Sequence, residues 1–106
     1  MQRGEIRWYR FASPDKSRPV LVLTRDAILA YLEEVTVAPV TTRVRDIPSE
    51  VALTTEDGMP RPCAINLDRL QTVRKDRVGA LITMLPASLM DEVRAALLFA
   101  LGFREA

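Results

Sequence analysis

Residues 20–23, Val-Leu-Val-Leu, form an unbroken apolar run directly behind Arg18 and Pro19. A strand wetted on one side alternates apolar and polar positions, so an uninterrupted run predicts a strand covered on both faces. Pro19 drives Arg18 toward an extended backbone, because the ring clashes with a helical residue before it. Proline is also tolerated where a strand begins. Residues 5–11 alternate less cleanly. Ile6, Trp8 and Arg10 fall on one side and Glu5, Arg7, Tyr9 and Phe11 on the other, which predicts a strand with no obvious inner face. Residues 34–41 read as a further strand, with Val35, Val37 and Pro39 opposed to Thr36, Ala38 and Val40. Pro39, near its end, marks an edge or a bend there.

The remaining elements are short. Residues 12–17, Ala-Ser-Pro-Asp-Lys-Ser, are turn-rich, with Pro14-Asp15 as the corner. Residues 26–32 predict a short helix and residues 50–54 a short strand. Residues 43–49 read as loop, and residues 55–62 as a turn carrying Gly58 and two prolines. Residues 64–67, 70–73 and 79–83 predict three more strands. Residues 87–101 predict a helix, since Leu89, Val93, Ala96, Leu97 and Ala100 make one apolar stripe and Gly102 is a suitable stop. These elements add up to a mostly antiparallel sheet, coiled toward a small barrel, with a C-terminal helix packed on or beside it.

At 106 residues the chain has room for one domain, residues 1–106, with one modest core. Its first ten residues are charged throughout, without the apolar region of a secretory signal. The longest apolar stretch, residues 95–101, is too short to span a bilayer, so a cytoplasmic location is expected and no membrane partner. The chain has no histidine and a single cysteine, Cys63. That excludes Ser-His-Asp triads, Cys-His pairs, imidazole acid–base chemistry, intrachain disulfides and Cys/His zinc sites. No acidic cluster has the spacing of a magnesium site, so no metal and no cofactor are expected. Cys63 reads as a small, partly buried hydrophobe.

The net charge of +1 excludes the strong basic field common in duplex binders. Its distribution is uneven: residues 1–45 hold eight Lys/Arg against five Asp/Glu, whereas residues 46–106 hold seven against nine. Thirteen of the fifteen basic residues are arginine. Arginine offers a planar fork for phosphate and can stack on bases, but a GC-rich genome yields the same bias.

Five segments, taken in order, resemble the MazF/PemK/Kid toxins of bacterial toxin–antitoxin pairs. They are RGEIRWYRF at residues 3–11, RPVLVLT at 18–24, VTVAPVTT at 35–42, LDRLQTV at 67–73, and ITMLPASLMDEVRAAL at 82–97 followed by ALGF. The resemblance implies a mainly β fold with helices (α+β), a small SH3-like, partly open antiparallel barrel with a C-terminal α-helix. It also implies a homodimer, a cognate MazE-like antitoxin, and sequence-specific, metal-independent cleavage of single-stranded RNA. It carries two catalytic positions onto Arg18 and Thr41, with Thr42 as the alternative register. Lys16, Thr42, Arg43 and Arg45 are the accompanying candidates for RNA contact.

The chemistry is coherent with so sparse a residue inventory. RNA supplies its own nucleophile, the ribose 2′-OH, so the protein needs only to stabilise phosphorane charge and move protons. A guanidinium donates two hydrogen bonds to phosphate oxygens, and a threonine hydroxyl adds a third. The expected products are a 2′,3′-cyclic phosphate and a free 5′-OH. Arginine, with a pKa above about 12, is a clamp rather than an acid or base. The general base stays unassigned. Asp15 is not a clean match to the family's acidic loop residue, and Gln71 replaces a frequent arginine. Trp8 reads as a core or dimer contact rather than a base platform. Two other functions stay open. One is a CcdB-like inhibitor of DNA gyrase, against which stand the LGFREA ending and the Arg-Pro motif. The other is a catalytically degenerate relative that binds RNA without cutting it.

Overall fold

The computed structural model describes residues 1–11 and 16–104. Its seven strands are Glu5–Arg10 (β1), Ser17–Val22 (β2), Glu34–Thr41 (β3), Glu50–Leu53 (β4), Cys63–Asn66 (β5), Gln71–Arg74 (β6) and Val78–Met84 (β7). Helices span Asp26–Leu29 (α1) and Ala87–Leu101 (α2). The strand pairings are antiparallel, in the order β4-β5-β3-β2-β1-β7, with β6 also lying against β3. The sheet curls into a half-barrel with α2 packed against it, the mainly β architecture with a terminal helix that the sequence leads one to expect.

Two separate apolar clusters explain the two odd strand patterns. Ile6, Leu21, Ala38 and Ile65 form the core of one cluster, which Val93 and Ala96 of α2 close. Tyr9, Val20, Val22, Val35 and Val37 form the other, against the opposite face of the same strands. Val20, Leu21 and Val22 are wholly buried because each of their two faces meets a core. The same division accounts for β1, whose Ile6 and Tyr9 enter different clusters. Tyr9 meets Phe11 edge to face, their ring centroids 4.8 Å apart. The loss of a wholly buried side chain such as Leu21 to alanine costs about 2–5 kcal/mol.

Pro39 marks a bend, not an edge. The first half of β3 pairs with β6, from Glu34 opposite Arg74 to Val37 opposite Gln71. Its last residues pair with β5 instead, Val40 opposite Ile65 and Thr41 opposite Ala64. Pro39 lies in the gap between those ladders, where a missing N–H costs little, while β2 runs along the other flank.

Helix α1 stops at Leu29, three residues short of the expected end. The Leu29 carbonyl at its end accepts from the Lys75 ammonium at 2.6 Å, which ties the helix end to the turn after β6. Helix α2 ends in a Schellman motif. Gly102, at φ +79°, takes the left-handed position; Phe103 N donates to Leu98 O at 2.8 Å and Gly102 N to Phe99 O at 3.1 Å.

Candidate nucleic-acid interface

The β1–β2 ladder sets Trp8 opposite Pro19 and Tyr9 opposite Arg18. Beside this end of the ladder lies a cleft of about 230 Å³, lined by Trp8, Ser17, Arg18, Pro19, Val40, Thr42, Met59, Pro60, Arg61 and Cys63. Trp8, Ser17 and Pro19 share one strand parity, while Arg18 has the other and joins the cleft through the length of its side chain. Arg18 is exposed at the start of β2, just ahead of the wholly buried Val20–Val22 segment. Its backbone is therefore held by a rigid strand while its guanidinium is left to solvent.

The structure separates the two threonines. In the β2–β3 register Val22 faces Val37 and Val20 faces Pro39. Extended by two residues, that register sets Thr41 across from Arg18 on the same face of the sheet. Thr42, of the other parity, lines the cleft. The Thr41 hydroxyl accepts from Arg43 N at 3.0 Å, which leaves its own proton available to donate. Arg43 and Arg45 are exposed in the loop behind β3, and Arg45 N is held by Glu50 Oε1 at 2.9 Å. Neither they nor the exposed Lys16 line the cleft. Asp15 lies outside the described residues. Gln71 is exposed on β6, opposite Val37. Trp8 enters neither apolar cluster and is 36% exposed at the cleft wall.

Sequence reasoning missed Arg61. The available signal was a repeated dipeptide: Arg61-Pro62 restates Arg18-Pro19, with the same bias toward an extended backbone at the arginine. What no local pattern signals is that the two arginines line one cleft. Cys63, 3% exposed, also contributes to its lining. Burial, and then the negative charge of Asp57, push its thiol above the ordinary value, so it stays protonated at neutral pH and is no nucleophile.

A larger groove, about 800 Å³, lies elsewhere, among Leu23, Leu32, Leu70 and Leu97. It is a poor place for a polyanion. Two of its cations are already engaged, Arg3 Nε by Leu23 O at 2.8 Å and Arg74 by Asp76 at 2.7 Å, and Glu33 and Glu34 share its lining. Among the described residues no three or more Asp, Glu or Cys side chains gather as a metal-binding group, and none of their helices is long and apolar enough to cross a membrane.

Residues 2–101 match the family described as the PemK-like, MazF-like toxin of type II toxin–antitoxin systems. The endoribonuclease MazF3 of Mycobacterium tuberculosis is 40% identical over 83 residues, 78% of this chain and 81% of the relative. The solved M. tuberculosis toxin MazF-mt6 is 34% identical, with a TM-score of 0.87 over 95% of this chain and 99% of that one. A mycobacterial endoribonuclease solved in complex with its cognate antitoxin superposes with a TM-score of 0.86 at 26% identity, covering 100% of this chain and 99% of that one. The likeness runs through the fold, the strand order and nearly the whole sequence, and the chain belongs to the PemK-like, MazF-like toxin family of type II toxin–antitoxin systems.

Proposed function

We propose that this chain is an endoribonuclease toxin that cleaves single-stranded RNA at a short recurring sequence. Family membership and relatives named as endoribonucleases support the activity. The observation that carries the site is Arg18. Its guanidinium stands exposed on a rigid strand beside a cleft with no carboxylate among its lining residues, and Thr41 lies across from it in the extended register.

The ribose 2′-oxygen loses its proton and bonds to phosphorus; the 5′-oxygen leaves with a proton. The products are a 2′,3′-cyclic phosphate and a 5′-OH. Arg18 donates two hydrogen bonds to the non-bridging oxygens as negative charge builds on them, and the Thr41 hydroxyl donates a third. Lys16, Thr42, Arg43 and Arg45 contact the strand on either side. This reaction draws its nucleophile from the substrate, which suits a chain without histidine and with an inert thiol.

The working form in this reading is a cytoplasmic homodimer, silenced by a MazE-like antitoxin. Two features support an extended contact surface. β7 ends the sheet order with Leu81 and Met84 exposed, and Phe99, Leu101 and Phe103 are exposed around the end of α2. The antitoxin complex of the mycobacterial relative supports the same mode of control.

The test is incubation of wild type and Arg18→Ala with mixed-sequence single-stranded RNA in EDTA, with cleavage ends mapped by chemistry and position. Cyclic-phosphate ends at a recurring sequence are expected, with the rate down about 10²–10³-fold in the variant, the usual loss for one positioned oxyanion donor. Wild type that leaves the RNA intact would overturn the reading.

A further inference from the structure

Arg61 stands where the proposed reaction has no role for it. It lines the same cleft as Arg18, no carboxylate shares that lining, and among the described residues neither side chain has a hydrogen-bond or ion-pair partner. Arg3, Arg7 and Arg74, by contrast, are engaged by protein oxygens. Two arginines without a carboxylate partner at one cleft offer a polyanion two cationic hydrogen-bond donors.

The segment carrying Arg61 is braced from both ends. Thr54 Oγ1 accepts from Glu56 N at 3.2 Å while Asp57 Oδ2 accepts from Thr54 N at 2.8 Å, a reciprocal cap on the 3₁₀ turn Thr55–Asp57. Thr83 Oγ1 donates to Asp57 O at 3.1 Å, tying that turn to β7. Met59, 4% exposed, then anchors the chain two residues before Arg61, and Pro62 restricts its backbone. An exposed arginine on so fixed a segment loses little backbone freedom when it binds. Trp8, at the same cleft, is 36% exposed, and an indole is a residue type on which a base stacks.

We propose that this cleft is a nucleotide subsite in which Arg61 binds the phosphate next to the one held by Arg18 while Trp8 stacks on the base between them. The proposal rests on the ribonuclease reading and adds to it a specific contact pair. A volume of about 230 Å³ is below the usual range for drug-sized ligands and suits one base rather than a folded RNA element.

The chain's single tryptophan makes the test direct. Fluorescently labelled 2′-fluoro single strands, which lack the attacking hydroxyl, are titrated into wild type, Arg61→Ala and Arg61→Lys across a range of salt. Binding is read by anisotropy of the label and stacking by quenching of Trp8. Wild type is expected to bind with quenching. Arg61→Ala should bind about 5–30-fold more weakly, with a logarithmic salt slope shallower by about 0.7, the value for one phosphate contact on a single strand. Arg61→Lys should restore the slope, and all three proteins should melt alike because Arg61 is exposed. If wild type cleaves RNA and binds the analogue, but Arg61→Ala matches it in affinity and slope, the subsite is overturned and the ribonuclease reading stands. Binding without quenching removes Trp8 from the subsite. Wild type that neither binds nor cleaves overturns both.

Discussion

A Cβ placed on Gly58 would lie 2.6 Å from Thr83 Oγ1, the same hydroxyl that donates to the Asp57 carbonyl. Gly58 also has φ +95°, a conformation that side-chain-bearing residues rarely adopt. The turn between β4 and β5 can thus close onto β7 only because residue 58 has no side chain, and that closure sets the path of Met59, Pro60 and Arg61 toward the cleft.

Gly58→Ala is therefore expected to destabilise the fold by about 1–3 kcal/mol, from backbone strain together with the contact at Thr83. Thr83→Val, which exchanges the hydroxyl for a methyl group and so removes the bond to Asp57 O, should cost on the order of 1 kcal/mol. Urea unfolding of the three proteins reads both values. Wild-type stability in Gly58→Ala would mean that the turn can repack without closing onto Thr83.

The two threonines at the end of β3 make opposite demands. Thr41 shares a face with Arg18, whereas Thr42 shares the cleft. With Thr41 as the phosphate donor, Thr41→Ala should slow cleavage about fivefold, the rate equivalent of one neutral hydrogen bond near 1 kcal/mol. Thr42→Ala should then have the smaller effect on the single-turnover rate. The reverse order would move the role to Thr42.

Glu5 gives the fold a defined acid sensitivity. It is 9% exposed, and its Oε1 accepts from Arg7 Nε at 2.7 Å, while Arg7 Nη1 donates to Gly79 O at 2.8 Å. Burial raises the carboxyl pKa, but the Arg7 hydrogen bond, a backbone bond at Gln2 and the Arg7 charge together hold it below its ordinary 4.5. A pKa depressed by folding adds stability that is present above the unfolded value and is lost as pH falls through the folded one. The stability gap between wild type and Glu5→Gln should therefore be full above about pH 5 and narrow as pH drops below 4.5. Denaturant titrations at stepped pH measure it. A gap that stays constant through that window would show that the carboxylate charge contributes nothing.

Cys63 is expected to resist thiol reagents in the native protein. Burial and Asp57 both disfavour its thiolate, so labelling has to wait for local or global opening. Reaction with an aromatic disulfide at neutral pH should be slower than in urea by on the order of 10²-fold or more. Rapid native labelling would show that the thiol is open to reagents through the cleft it lines.

Local pattern carried much of the fold. The Val20–Val22 segment, the bounds of Glu34–Thr41 and the helix Ala87–Leu101 with its Gly102 stop were legible because each reflects a near-neighbour constraint, whether side-chain alternation, helical spacing or a residue's own backbone preference. The likeness of motif order to the toxin family was legible for the same reason, since those motifs are contiguous in the chain. Arg18 could be singled out because Pro19 and the apolar run behind it are its immediate neighbours.

The tertiary structure decided everything that depends on pairing between strands distant in the chain. Whether Pro39 marks an edge or a bend rests on β5 and β6 both reaching β3, which no window around residue 39 contains. Whether Trp8 belongs to the core rests on which residues cover its side of β1, and they leave it at a cleft wall. Arg61 lines the same cleft as Arg18 only because the turn at Gly58 is drawn against Thr83, twenty-five positions along the chain. The sequence by itself determined most of the strands, the terminal helix and Arg18 as the candidate phosphate clamp. The juxtaposition of Arg61 with Arg18 and the cleft they line exist only once long-range strand pairing has brought distant residues together, because these positions are set by loop closure and not by neighbours in the chain.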